Sequence, residues 1–361
     1  MSTSTLLLID CRRRMDFHIL IDQGVITEAT RNWLEPQWQK EQADRKELEE
    51  ALGGGIFDGH DDEHDDDVLD HDRAMIPRTI TIGGVSFSYC QDDRSVGHGN
   101  RVWHASIATC FYLKGLVESP LATSFSPLHS LELGAGTALP SLFLAQVLAK
   151  KEVSNSSRPF LHVTDSQNFR NIQQILWSIG QQSATVQDRI AFRVSPHNWG
   201  QGIGVGNDNR SFLDTECPEK EPNRYDVIIV SDCIYNPNYH VPLLESVARM
   251  LKFPDGSGRH SGGRAIISFS LHGNTTNETV WDFLDLVNGM KSPDQQWRLI
   301  ATPVAELCND DLIANNGSME YVGKGGWNME DSMKKLNLWA ANLDPQRWIA
   351  YLYEVTWTRT D

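Results

Sequence analysis

The stretch that most constrains this chain is Leu131-Glu132-Leu133-Gly134-Ala135-Gly136-Thr137-Ala138-Leu139-Pro140. A short apolar run, 128–133, stops at two glycines one residue apart, and an apolar stretch compatible with a helix, 141–148, follows. This is the pattern of a strand, a tight turn and a helix. Such a turn lets the backbone approach a nucleotide while the helix N-terminus points at it. A dinucleotide-binding turn carries a third glycine three residues after the second, and here that position is Leu139, followed by Pro140. The turn therefore suits a nucleoside without a pyrophosphate, and S-adenosyl-methionine is the first candidate. A single Gly-x-Gly also occurs in ordinary turns, so the assignment depends on the rest of the chain.

Downstream, strand-like segments at 160–163, 190–194, 225–230 and 264–269 alternate with helix-like segments at 168–180, 241–251 and 279–287. A helix is expected over about 102–117, and two further strands at 297–301 and 348–358. Alternation of this kind predicts an α/β fold with a mostly parallel sheet covered by helices on both faces, the final strand inserting antiparallel. A ligand then binds at the carboxyl ends of the strands, beside the first strand-to-helix turn. Ahead of this core, 78–90 reads as a hairpin around Gly83-Gly84. Residues 1–57 form an expected N-terminal helical appendage, with a helix over 27–52 that Pro36 interrupts and Gly53-Gly54-Gly55 ends. It serves either to pack on the main domain or to hold a partner. The histidine- and aspartate-rich run from His60 to Asp72 has the residue types of a metal site, but like charges in a row stay solvated. We read 58–77 as a flexible acidic loop and expect no metal site. The catalytic domain is expected over 78–361, with 200–223 a loop and 303–347 an irregular insertion.

Composition narrows the function. In 361 residues no run of about 18 apolar residues occurs, so no membrane span is expected, and the apolar start at 6–9 is too short for a signal-peptide core. The six cysteines form no Cys-x-x-Cys pair, which suits reduced thiols and an expected cytoplasmic or nuclear location. A net charge of −16 argues against a nucleic-acid partner and favours a cationic target such as a lysine-rich protein, although solubility alone also accounts for it. The sequence sets no oligomeric state, and a monomer is the default.

Three further groups fall at the ends of successive strands. Asp165 follows the second strand, where an acid can accept both ribose hydroxyls. It lies further from the glycines than the usual ~20 residues, and the polar stretch 150–158 reads as the insertion responsible. Asp165 would equally serve as the N-cap of the next helix. Trp199 could stack on adenine, or be one of eleven tryptophans filling a core. Ser231-Asp232-Cys233-Ile234-Tyr235 sets a carboxylate and a phenol three residues apart at the fourth strand end, or else a loop cap and a packing residue.

Taken together, Val102-Trp103, Glu132-Leu133-Gly134-Ala135-Gly136, Asp165, Asn198-Trp199-Gly200 and Asp232-Cys233-Ile234-Tyr235 resemble the seven-strand, Rossmann-like methyltransferases of the protein-lysine type, methyltransferase family 16. That family also includes a fungal group of nicotinamide N-methyltransferase-like proteins. The resemblance covers roughly 79–269. It implies S-adenosyl-methionine as cofactor, in a pocket lined by Trp103, Gly134, Ala135, Gly136, Asp165, Trp199 and Ser231, with Glu132 near the methionine ammonium. It places Asp232 and Tyr235 at the acceptor mouth. Two positions depart from the family: Ala138 stands where many relatives have another glycine, and His104 where an acid is frequent. The expected activity is methyl transfer to a lysine amine of a protein. A small-molecule N-methyltransferase of nicotinamide type and a non-catalytic cofactor-binding adaptor are the alternatives.

Overall fold

The computed structural model describes residues 15–51, 75–92, 101–119, 128–151, 158–200, 225–254, 262–271, 277–308 and 349–360. The acidic run 60–72, all but the first residue of the expected loop 200–223, and most of 303–347 lie outside these described residues. At the N-terminus, helix α1 (Phe17–Asp22) is capped by the Asp16 carboxylate, which accepts from the backbone N–H groups of His18 and Ile19 at 3.1 and 3.2 Å. Helix α2 (Glu28–Ala51) runs unbroken through Pro36, contrary to the interruption expected from sequence. A proline costs an interior helix one N–H and crowds one carbonyl. Here the surrounding turns are held by a fully buried Leu34 and by Arg31, whose Nε donates to Glu35 at 2.8 Å. Strands β1 (Met75–Ile82) and β2 (Val85–Asp92) form the expected hairpin. Gly83 and Gly84 both take positive φ, as a tight two-residue turn of this hand requires. The hairpin begins at Met75, so the acidic segment ends earlier than residue 77.

The core follows in chain order: α3 (His104–Glu118), β3 (His129–Leu133), α4 (Leu139–Lys150), β4 (Phe160–Asp165), α5 (Phe169–Gly180), α6 (Ala184–Arg189), β5 (Ala191–Pro196), β6 (Val227–Ser231), a 3-10 turn at Pro237–Tyr239, α7 (His240–Met250), β7 (Arg264–Ser270), α8 (Asn277–Gly289), β8 (Trp297–Cys308) and β9 (Ile349–Arg359). The seven-stranded sheet has the order β5-β4-β3-β6-β7-β9-β8. Pairings from β5 to β7 are parallel, and β9 alone runs antiparallel, wedged between β7 and β8. The sequence anticipated this architecture, including the antiparallel last strand. It missed α6, whose six residues are too few to show a helical period. It also cut β8 short, since that strand runs on to Cys308.

Strand alternation divides the apolar residues between two faces. Ile229, Ile266 and Leu352 join α3, α4, α5 and the hairpin in one core. Ile228, Val230, Ala265, Ile267, Tyr351 and Tyr353 join α7 and α8 in the other. Because parallel strands are buried on both sides, their sequences read as continuous apolar runs. The N-terminal segment covers the sheet's exposed edge at β5. There Val194 N–H donates to Val25 carbonyl oxygen at 2.7 Å, and Arg193 Nε donates to Gly24 carbonyl oxygen at 2.8 Å.

Candidate active site

The site begins where β3 runs out. Gly134, Gly136 and Ala138 all take left-handed φ, of 67°, 52° and 57°. The turn is tied to the neighbouring strand, since Ala135 N–H donates to Thr164 carbonyl oxygen at 2.9 Å. At Gly134 the need for glycine is twofold. Besides its φ, a Cβ there would lie 2.8 Å from both Cys233 Sγ and Trp199 Cζ2. The missing side chain thus makes room for the protein's own indole as well as for any ligand. Ala138 keeps the conformation a glycine would take, at a cost of roughly 1 kcal/mol.

Asp165 ends β4 and closes on this turn. Its Oδ2 accepts from Gly136 N–H at 2.7 Å. Its Oδ1 accepts from Ser166 N–H at 2.8 Å and Asn171 Nδ2 at 2.7 Å. The N-cap alternative fails, because Asn168 caps α5, accepting from Arg170 and Asn171 N–H groups. A carboxylate offers about four acceptor positions, so Oδ2 keeps one for a hydroxyl donor from outside. Gln174, also on α5 and fully buried, donates from Nε2 to Gly136 carbonyl oxygen at 3.2 Å. Both polar groups of the Gly136 residue are therefore fixed by side chains. Asn171 and Gln174 escaped the sequence reading, which attended to the apolar face of α5. Their spacing of three on that helix was the available signal.

Glu132, on β3 just before the turn, is only 1% exposed. Its Oε2 accepts from Ser141 N–H, in the first turn of α4, at 3.1 Å. Its Oε1 has no hydrogen-bond partner among the described residues. Burial pushes the carboxyl up to about 8; the Ser141 hydrogen bonds oppose this and the Asp165 charge adds to it. A buried acid with one bare oxygen calls for a cationic donor.

Across the edge, β6 ends at Ser231, and the chain turns sharply at Asp232, a non-glycine residue at φ 57°. Backbone strain of this kind collects at functional sites. The turn is locked to β7: Asp232 N–H donates to Ser268 carbonyl oxygen at 2.8 Å, and Ser270 N–H reaches Asp232 Oδ1 at 3.4 Å. Ser231 Oγ lies 3.2 Å from Ser268 Oγ, which in turn meets Thr109 Oγ1 of α3 at 2.6 Å. Trp103 stands just before α3 in extended conformation, on the same β7 side, and its carbonyl accepts from Ser106 Oγ at 2.6 Å. Cys233 fills the space behind Gly134, its thiol donating to Leu133 carbonyl oxygen at 3.4 Å. Tyr235 is half-buried. Burial raises its phenol above the ordinary value, with Cys233, Asp165, Tyr239 and Asp232 adding to the rise. Trp199 spans the two halves: half-buried, it packs on the α7 core, covers Gly134, and meets Tyr239 edge to face with centroids 6.0 Å apart. The core and ligand-facing alternatives for this tryptophan are therefore not exclusive.

The expected residues thus gather at one sheet edge. Glu132, the glycines, Asp165, Trp199 and Cys233 make one continuous group. Ser231, Asp232, Ser268 and the head of α3 with Trp103 make an adjoining one. Among the described residues no set of three His, Cys, Asp or Glu could hold a metal ion, and no helix is long and apolar enough to cross a membrane.

Residues 87–255, which span both groups, match the family described as lysine methyltransferase. Over 184 residues the chain is 28% identical to the protein N-terminal and lysine N-methyltransferase EFM7 of Candida albicans, a match that takes in 49% of this chain and 60% of that one. The chain thus spans less than two thirds of that relative. The protein of the same description from Candida glabrata is 25% identical over 236 residues, covering 64% of this chain and 78% of its own. Among solved structures, a putative SAM-dependent methyltransferase from Streptococcus mutans overlays with a TM-score of 0.39 at 12% identity, covering 77% of this chain and 55% of that one. The fold assignment rests on the strand order and not on that overlay.

Proposed function

We propose, for a chain whose residues 87–255 carry the lysine methyltransferase family pattern, that it transfers a methyl group from S-adenosyl-methionine to a lysine amine of a protein. The observation that carries this reading is Glu132. Its buried, bare Oε1 lies at the foot of a glycine turn whose other wall is Asp165. An amino acid joined to a nucleoside meets both demands: an ammonium for Glu132 and ribose hydroxyls for the open position on Asp165. No pyrophosphate is needed, in keeping with Leu139 and Pro140 where a dinucleotide turn would have glycine.

When bound, S-adenosyl-methionine supplies an electrophilic methyl on a sulfonium sulfur. The chain's own residues supply position and exclude water. Trp199 covers the turn, and the half-buried Tyr235 follows Asp232 by three residues, where the family resemblance sets the acceptor mouth. A lysine amine must arrive neutral, although its ordinary pKa is about 10.4. An aromatic, low-dielectric entry disfavours the ammonium form. The Asp232 carboxylate draws the cation in and orients it, and the proton leaves to water. No side chain need act as a strong base.

The relatives' names join lysine to the protein N-terminus as acceptors, and both are primary amines. A net charge of −16 supports a basic protein as the target. Buried free thiols at Cys90, Cys110 and Cys233 support a reducing compartment, cytoplasm or nucleus. The test is incubation with methyl-labelled S-adenosyl-methionine and a cell extract, followed by acid hydrolysis. Labelled methyl-lysine in protein is the expected product. Label confined to small molecules would transfer the assignment to a nicotinamide-type enzyme, and cofactor binding without transfer would make the chain an adaptor.

A further inference from the structure

We infer that Ser270 is an acceptor-binding residue, its hydroxyl taking one N–H of the incoming amine while Asp232 takes the other; this rests on the methyl-transfer reading above. Ser270 is the last residue of β7, and alternation puts it on the same sheet face as Ile266 and Ser268. That face meets the head of α3 through Ser268 and Thr109, and meets Ser231 through Ser268. Ser268 therefore has partners on both sides. Ser270, two residues on, does not: it is 5% exposed, and its Oγ has no hydrogen-bond partner among the described residues. Its backbone N–H points to Asp232 Oδ1 at 3.4 Å, so the end of β7 is joined to that carboxylate. A buried hydroxyl left bare is unfavourable, and native proteins seldom keep one without a use.

The chemistry of the acceptor supplies the use. A neutral primary amine that attacks a methyl group aims its lone pair at carbon and has two N–H bonds left over. In a site shielded from water each needs an acceptor. Asp232 alone provides one direction, and Ser270 provides a second from the neighbouring strand end. The bond changes are those of the transfer itself: the nitrogen pair forms N–C, the C–S pair returns to sulfur, and the surplus proton leaves to water. After one methylation a single N–H remains, and Asp232 suffices for it. Ser270 therefore matters most for the first methyl group.

The test compares wild type with Ser270→Ala and Ser270→Thr, using labelled S-adenosyl-methionine, the proteins of a cell extract, and separation of mono- from dimethyl-lysine. For Ser270→Ala we expect first-methyl transfer to fall about tenfold, the upper size of one lost neutral hydrogen bond, with the second transfer changed less. The dimethyl share of the product then rises. S-adenosyl-homocysteine affinity stays as in wild type, and the melting temperature is equal or higher because a bare hydroxyl has been removed. Ser270→Thr keeps a hydroxyl and the wild-type product ratio. An active wild type matched by an equally active Ser270→Ala with the same ratio overturns the inference alone. So does a fall in both transfers together with a lower melting temperature, which marks a structural role. A wild type that methylates no lysine overturns the methyl-transfer reading, and this inference with it.

Discussion

Replacing Glu132 by glutamine isolates the charge on which the donor site depends. The substitution keeps volume and keeps an acceptor for Ser141 N–H, but it removes the ionisable group. In the cofactor-free protein the carboxyl titrates near 8 rather than 4.5, because it is buried. Between those values the folded chain holds a proton that the unfolded chain has released. Stability contributed by this position is thus full below about pH 4.5 and is lost as pH rises toward 8. One proton is worth about 1.4 kcal/mol per pH unit, so raising pH from 6 to 7.5 should remove roughly 2 kcal/mol. Glu132→Gln should flatten that part of the pH dependence of thermal unfolding. Ligand binding has the opposite sign: an ammonium beside Oε1 favours the charged carboxylate, so binding releases a proton below pH 8 and tightens as pH rises. Loss of a hydrogen bond to a charged partner costs about 1.5–3 kcal/mol. S-adenosyl-homocysteine should therefore bind the variant roughly 10- to 150-fold more weakly near pH 8, with a flat pH profile. Titration calorimetry at pH 6, 7 and 8, in buffers of different ionisation heat, measures both affinity and proton release. A variant with wild-type affinity and wild-type proton release would refute the reasoning.

Other expectations follow from the same geometry. Gly134→Ala forces a side chain onto a left-handed φ with contacts of 2.8 Å to Cys233 and Trp199. It should lose roughly 2–4 kcal/mol in chemical denaturation; an unchanged midpoint would count against the tight turn. Ala138→Gly relieves left-handed strain of about 1 kcal/mol and gives up one buried methyl worth about 0.8 kcal/mol, so its stability should match wild type. A loss above about 2 kcal/mol would contradict the strain assigned to that turn. Asn171→Ala removes one donor from Asp165 and should weaken S-adenosyl-homocysteine binding about three- to tenfold with little change in acceptor KM. An effect confined to the acceptor would misplace Asp165.

How much of this was legible in the sequence depends on the range of the interaction. The apolar runs of β3, β4, β6 and β7 marked the parallel sheet because such strands are buried on both faces. Gly134 and Gly136 marked the turn because few other residues accept its φ. Trp199 could not be placed, since its contact with Gly134 joins segments 65 residues apart, and a tryptophan carries no sign of which segment it covers. Asp165 read equally as a ribose-binding acid and as a helix cap, and the cap position is held by Asn168. Ser268 drew no notice within its strand, because its partners on β6 and α3 are set by sheet order. Pro36 misled, since local propensity gave way to the packing of Leu34.

The central claim, a methyl-donor site built on Glu132, Gly134 and Asp165, is tested most directly by a crystal structure of the complex with S-adenosyl-homocysteine. The account predicts the ligand at the carboxyl ends of β3, β4 and β6, its amino group within hydrogen-bonding distance of Glu132 Oε1 and its ribose hydroxyls on Asp165. A ligand bound at another edge of the sheet, or one that leaves Glu132 Oε1 without a donor, would contradict it.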